Sequence, residues 1–419
     1  MRILYDAGIW LYHLAIRIAA LWNPKAKLWV EGRRQVFTNL SVRPAGDTAK
    51  RIWMHCASLG EFEQGRPLLE ALRSAYPDAY ILLTFFSPSG YEIRKQYPLA
   101  SQVSYLPMDG AIRSKRFVRQ VQPDLAIFIK YEFWYHYLQA LKSQSVPTLL
   151  VSAIFRPSQP FFRPWGGFWR KMLQCYAAIF VQDQRSAELL SGIGLADRTR
   201  VSGDTRFDRV LDVSRDGSPL PLIEAFCGSA TVIVAGSTWP EDEEVLAHFA
   251  RSNPSIRFII APHEIDEAHL AEIEKRYPAS IRFSRLPETG LPSTDPHHVL
   301  LMDNMGMLSR LYRFAQVTYV GGGFGGAGIH NILEAAVYGK PVIFGPVHQK
   351  SREALELQAR GGAFSIQSAV EFEDLAESLL GDSTALDRAG RAAADYVQEQ
   401  AGATGVIMQW IQENRLLIS

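Results

Sequence analysis

VTYVGGGFGGAGIHNILEAAVYGKPVIFGP, residues 317 to 346, is the stretch that decides the fold. Its first four residues, Val317 to Val320, have the length and β-branching of a buried strand. Six glycines lie among the next eight residues, and the spacing then predicts a helix from about His330 to Tyr338 and a second strand from Pro341 to Phe344. Strand, glycine loop, helix and strand in that order make half of a doubly wound α/β sheet. Glycines let backbone N–H groups come close to a ligand, and a helix start adds partial positive charge. The expected guest is anionic, a phosphate or phosphodiester.

Gly321, Gly323 and Gly326 also fit the dinucleotide fingerprint G-x-G-x-x-G. That fingerprint needs an acid about 20 positions on, at the end of the next strand, where this chain has Gly345 and Pro346. Glu334 instead lies one helical turn beyond Asn331, on the face of His330. Two readings stay open. In one, a nucleotide-sugar sets its phosphate at the turn and its ribose hydroxyls on Glu334; in the other, Glu334 is a solvated helix acid beside a structural loop.

The chain has 419 residues, more than one core usually holds, so two domains are expected. With 44 basic and 43 acidic residues the net charge is +1, and nothing global points to nucleic acid. The three cysteines, Cys56, Cys175 and Cys227, are far apart and read as reduced, buried thiols. Neither H-E-x-x-H nor a cysteine–histidine cluster occurs, so no metal site and no cofactor are expected.

Residues 3 to 22, ILYDAGIWLYHLAIRIAALW, are apolar except for Asp6, His13 and Arg17, which share one helical face. A span of about 30 Å is within reach, but it would set His13 near the midplane with a charge on either side. A helix lying in the membrane interface with its polar stripe outward fits better; packing on the body of the protein is the alternative. Lys25, Lys27, Arg33 and Arg34 follow and would favour an anionic cytoplasmic leaflet.

From Arg51 onward strand, turn and helix alternate. Strands are expected near 52–56, 79–84, 103–106, 124–130, 147–152, 178–181 and 200–203, then near 231–236, 256–261, 298–301, 317–320, 341–344 and 363–366. Ligands of such sheets sit beyond the carboxyl ends of the strands. Ser58-Leu59-Gly60-Glu61 follows the first strand directly. It is a candidate site, but it also fits the S-x-x-E capping box. Phe133 to Gln182 holds Lys142, Arg156, Arg163, Arg170 and Lys171 with no acid, and six aromatic residues fall between Phe155 and Trp169. That patch suits a phosphorylated, lipid-like partner or else a core. The polar stretch VSRDGSPLP, between about Asp204 and Leu222, marks the domain boundary, and helices from about Ala385 to Asn414 are placed to cross back to the first domain.

HCASLGE (His55 to Glu61), YEFW (Tyr131 to Trp134), GDTRFD (Gly203 to Asp208), GST (Gly236 to Thr238), MDNMG (Met302 to Gly306) and GGGFGGAGIHNILEAA occur in an order that resembles the 3-deoxy-D-manno-octulosonic acid (Kdo) transferases of lipopolysaccharide synthesis. The resemblance covers nearly the whole chain. It implies the B-type glycosyltransferase fold: two doubly wound Rossmann-like domains facing a cleft. Residues 1–35 would form the membrane-interface segment, 36–205 the acceptor domain and 206–419 the CMP-sugar domain. The implied reaction is inverting, metal-independent transfer of Kdo from CMP-Kdo to a phosphorylated lipid A precursor, at the cytoplasmic face of the inner membrane. The catalytic base would be Glu61. Donor contacts would be Arg206, Ser237, Thr238, His263, Met305, Gly306, Gly322, Asn331 and Glu334; acceptor contacts would be Ser58, Gly60, Glu132, Arg156 and Arg163.

The chain departs from the family pattern in three places. E-T-E before the tryptophan reads Lys130-Tyr131-Glu132, an arginine beside His263 is replaced by Pro262, and N-A-R reads Ser152-Ala153-Ile154 with Arg156 as stand-in. Rival readings are a transferase using another nucleotide-sugar, such as a UDP-hexosamine, and a catalytically silent lipid-binding relative.

Overall fold

The computed structural model describes residues 1–44, 46–287, 296–326 and 328–417; Ala327 of the glycine loop lies outside them. The chain divides into two compact units, Met1–Arg209 with Ala401–Ser419, and Val210–Gln400.

The first unit carries β1 (Arg51–Cys56), β2 (Tyr80–Phe85), β3 (Gln102–Tyr105), β4 (Leu125–Ile129), β5 (Thr148–Ala153), β6 (Ala178–Val181) and β7 (Thr199–Val201). They form one parallel sheet in the order β3-β2-β1-β4-β5-β6-β7. Parallel strands covered by helices on both faces read as continuous apolar runs, and every residue of β1 is buried. Side chains alternate across the sheet. Trp53 packs with Phe117, Phe128 and Tyr137 on one face, while Ile52, Met54 and Cys56 pack with Phe62 and Leu68 on the other. The last helix, Ala403–Glu413, adds Ile407 and Ile411 to the second of these faces. Asp208 fixes its start by accepting from Gly402 N at 2.6 Å and Thr404 N at 2.7 Å.

The second unit carries β8 (Val232–Thr238), β9 (Arg257–Pro262), β10 (Ser280–Arg282), β11 (Val299–Leu301), β12 (Val317–Val320), β13 (Val342–Phe344) and β14 (Ala363–Ser365). These are again parallel, in the order β10-β11-β9-β8-β12-β13-β14. Three-residue β10 is not among the expected strands. It has no apolar run to announce it, and its Arg282 forks onto Glu267 at 2.7 and 2.8 Å and onto Glu274. In each sheet the strand order reverses beside the first strand, between β1 and β4 and between β8 and β12. These switch points are where doubly wound sheets open a crevice for ligands.

The structure corrects three local expectations. The helix expected over His330–Tyr338 shrinks to the single turn Leu333–Ala336. Ile329 N bonds Val347 O at 3.1 Å and His330 N bonds Gly321 O at 3.1 Å, so the entering backbone is already committed to the loop. Such a turn has almost no macrodipole to offer an anion.

The N-terminal helix, Arg2–Ala19, lays Asp6 and His13 of its polar stripe against the body of the unit, half-buried, and leaves Arg17 exposed. Asp6 Oδ1 meets His136 Nε2 at 2.6 Å, Tyr5 OH donates to Asp109 at 2.7 Å, and the His13 ring packs on Trp29. Ile3, Leu11, Leu14 and Ile18, spaced eight, three and four residues apart, face outward instead, together with Trp10. Buried polar groups on the body of the unit need partners, and the stripe supplies them.

Arg33 is likewise unavailable to a leaflet. Its guanidinium donates to Leu106 O, Trp29 O and Phe86 O and lies 3.7 Å above the Trp29 ring. Burial pushes its pKa down to about 9.

Candidate active site

Glu61 sits where β1 ends, in the first turn of helix Leu59–Ala75. An acid there is favoured by the helix N-terminus. Ser58 is the N-cap residue, but its hydroxyl caps no backbone N–H and donates to the Glu61 carboxylate instead. Ser58 and Glu61 therefore pair side chain to side chain rather than closing the reciprocal capping box. Gly60 is exposed between them, with only Ser58 Oγ within 4 Å of where a Cβ would stand.

Across the switch point, β4 runs into Lys130, whose φ of +70° turns the chain sharply. Glu132 follows and is buried. Its carboxylate lies 2.9 Å from His55 Nε2 and accepts from Trp134 Nε1, while its carbonyl accepts from Tyr176 OH. His55 is itself held by Thr84 through Nδ1. Glu132, expected as an acceptor contact, is thus a buried tether for the end of β4.

Tyr131, singled out from the sequence only as a departure from the family pattern, links the neighbourhood. Its hydroxyl pKa is raised by burial, lowered by the Arg156 charge, and raised again by Glu61 and Asp183. Arg156, Glu61 and Asp183 therefore share one electrostatic environment around that ring. No residue-type signal marks Tyr131 or Asp183, since both lie in loops joined only by tertiary folding.

Arg163 is exposed on the loop whose carbonyls Arg170 holds. The aromatic patch around it is mostly core. Phe155 and Phe161 are buried, Phe162, Phe168 and Trp169 pack against them, and Trp165 remains outside. Arg206, expected among the donor contacts, lies in the first unit. Its guanidinium forks onto Asp204 Oδ2 at 2.8 Å, and Asp204 also receives Gln64 Nε2.

At the switch point of the second sheet the glycine loop is packed tightly. A Cβ on Gly321 would stand 2.3 Å from Ser237 O, and one on Gly323 would stand 2.5 Å from Gly345 N. Gly322 holds φ +91°. These three glycines answer to backbone approach and conformation. Asp242, buried in the first turn of helix Pro240–Ser252, ties the loop down. It accepts from Trp239 N at 2.9 Å, Gly322 N at 2.8 Å and Tyr319 OH at 2.7 Å. Burial raises its pKa against those three bonds.

The Gly322 N–H is thereby spent inside the protein. So is the Thr238 hydroxyl, which donates to buried Glu243 at 3.1 Å. The sequence does signal Asp242: a proline at the first helical position and an acid two residues later, directly after a strand.

Ser237, with φ +53°, remains at the strand end. Asn331 Nδ2 donates to Glu334 Oε1 at 3.1 Å, pairing the amide and acid singled out from the sequence. Met305 is 79% exposed, beside Gly306 at φ +91°. Three rings stack over this edge. His263 lies 4.8 Å from Trp239 and 4.3 Å from His330, and Trp239 Nε1 donates to His330 Nε2 at 3.0 Å. Burial and, after it, the His263 charge push the His330 pKa down to about 4.

The unfolded chain takes up that proton near the ordinary histidine value, so stability should fall as pH drops from 6.5 towards about 4. Urea unfolding at pH 7 and pH 5 should show the loss, and His330→Asn should shrink it. An unchanged pH slope in the variant would assign the proton uptake elsewhere. Among the described residues no group of three or more His, Cys, Asp or Glu side chains is placed to hold a metal ion.

Residues 29–209 match the family model described as 3-deoxy-D-manno-octulosonic-acid transferase (kdotransferase). The chain is 28% identical over 418 residues to the 3-deoxy-D-manno-octulosonic acid transferase of Bordetella pertussis, covering 94% of this chain and 93% of the relative. It is 27% identical over 356 residues to that of Rickettsia conorii, covering 83% and 74%. Among solved structures, the UDP-GlcNAc 2-epimerase of Neisseria meningitidis superposes with a TM-score of 0.61 at 16% identity, over 87% of this chain and 100% of that one. MurG of Acinetobacter baumannii gives 0.54 at 12% identity, over 87% and 99%. These likenesses show the fold alone. The family match over residues 29–209 and the two transferases similar over most of this chain support a Kdo transferase, and the chain is a glycosyltransferase.

Proposed function

We propose that the protein transfers Kdo from CMP-Kdo to a phosphorylated lipid A precursor, with inversion and without a metal. The observation that carries this is the position of Glu61, a carboxylate at the switch point of the first sheet, held by Ser58 and sharing its surroundings with Tyr131 and Arg156. A single displacement needs one base. The acceptor hydroxyl gives its proton to Glu61 while its oxygen bonds the anomeric carbon of Kdo. The bond from that carbon to the phosphate oxygen breaks, and CMP leaves with the electron pair.

Arg156 and Arg163, exposed in a stretch without acids, suit the phosphates of the acceptor. On the donor side Ser237, Met305, Gly306, Asn331 and Glu334 suit the cytidine and its phosphate, with the ring stack of Trp239, His263 and His330 beside them. Thr238 and Gly322 act through the shape they give the loop, because their donors are already engaged.

The outward apolar face of the N-terminal helix suits a seat on the membrane surface, at the cytoplasmic face of the inner membrane. Among the described residues no helix is long and apolar enough to cross a membrane.

Calorimetric titration with CMP and with UDP tests the donor. CMP should bind more tightly by about tenfold or more, a difference of about 1.4 kcal/mol. Tighter UDP binding would move the assignment to a UDP-sugar.

A further inference from the structure

A cavity of about 330 Å³ lies under the N-terminal helix, between it and the start of helix Ala111–Val121. Arg17 and Arg113 line it from the two helices, with His13 between charges of one sign. Two acids also line it, and the oxygens of both are engaged by donors of the first unit. Asp6 is paired with His136, and Asp109 accepts from Tyr5 OH, Ser114 Oγ, His136 N and Tyr137 N at 2.7 to 3.1 Å. Among the described residues neither Arg17 nor Arg113 has an ion-pair partner.

Their field is felt locally. The His13 pKa is lowered first by burial and then by Arg17, Arg113 and Arg33. Helix Ala111–Val121 opens on the same cavity with no side-chain cap and no acid in its first turn, so its first N–H groups also favour an anion.

Trp10 lines the cavity and belongs to the outward apolar face, while Ile112, 84% exposed, stands at the start of the facing helix. The anion site thus opens beside apolar surface. Free phosphate has no use for such surface; a headgroup carrying acyl chains does.

We infer that Arg17, Arg113 and the uncapped first turn after Gly110 bind the phosphate of an anionic phospholipid, whose acyl chains lie along Trp10 and Ile112. This site is separate from Glu61 and fixes where the first unit rests on the membrane. The inference rests on the membrane-seated reading above.

Sedimentation with phosphatidylglycerol vesicles, at fixed ionic strength, tests it on the full chain. Arg17→Ala/Arg113→Ala should bind about tenfold more weakly than Lys25→Ala/Lys27→Ala, which removes equal charge from the neighbouring exposed helix. Inorganic phosphate at constant ionic strength should displace the parent protein from the vesicles and leave the residual binding of the arginine variant unchanged.

Equal losses in the two double variants would mean diffuse attraction and overturn the site. Phosphate that quenches tryptophan fluorescence in the parent without displacing vesicles would overturn the lipid assignment. Parent protein that ignores the vesicles would overturn the membrane reading and this inference together, whereas parent binding with equal variant losses overturns this inference alone. Unchanged far-UV circular dichroism in both variants excludes misfolding as the cause.

Discussion

Glu61→Gln should fold with nearly the parent Tm and transfer sugar about a hundred- to ten-thousand-fold more slowly. The substitution keeps the shape of the side chain and an oxygen for the Ser58 hydroxyl, but removes the basic lone pair. Its structural cost is confined to one favourable charge at a helix start, about 0.3–1 kcal/mol. That is the size of a small shift in melting temperature, far below the kinetic effect. The two roles therefore separate in magnitude. Single-turnover rates and thermal melts on the same preparation decide between them: a variant that keeps its rate and loses only stability would reduce Glu61 to a helix-start acid.

Asp242→Ala should destabilise the second unit by about 3–5 kcal/mol, because it strands three buried donors at once. Trp239 N, Gly322 N and Tyr319 OH all end on its carboxylate. The Gly321–Gly323 turn, which has no room to shift against Ser237 and Gly345, should lose its shape with it. CMP affinity should fall in parallel. Asp242→Asn keeps one good acceptor and should cost less than half as much. Urea unfolding followed by a second-unit signal measures both; a loss under about 1 kcal/mol for the alanine variant would show that water replaces the carboxylate.

The sheets were legible because buried parallel strands are written as short unbroken apolar runs, and β1, β4, β8 and β12 each fall within a residue or two of expectation. β10 escaped because a strand of three residues ending in Arg282 is stabilised by ion pairs whose acids lie elsewhere in the sequence. The helix after His330 was overdrawn for a related reason. What stops it from starting early is a pair of bonds to Val347 O and Gly321 O, which no local pattern records.

Polarity misled in two places. Asp6 and His13 read as a solvent-facing stripe, yet Asp6 answers His136, buried 130 residues away, and His13 packs on Trp29; Arg33 read as a free cation but lies against the Trp29 ring. At the sites, the position of Glu61 followed from strand-end logic alone. The engagement of Thr238, Gly322, Glu132 and Arg206 within the protein did not follow, since each depends on a buried partner. Strand-end logic thus placed these residues at the edges of the two sheets, and left open which of their donors still face outward.

This glycosyltransferase is expected to move Kdo from its CMP-activated form to a lipid-borne hydroxyl. Incubating the purified protein in detergent with CMP-Kdo and a tetra-acylated lipid A precursor, with product detected by mass, tests it most directly. The precursor should become heavier by one or more whole Kdo units, with equimolar CMP released and almost none of either from Glu61→Gln. Product formed only with a UDP-sugar, or precursor bound and never extended by the parent protein, would contradict it.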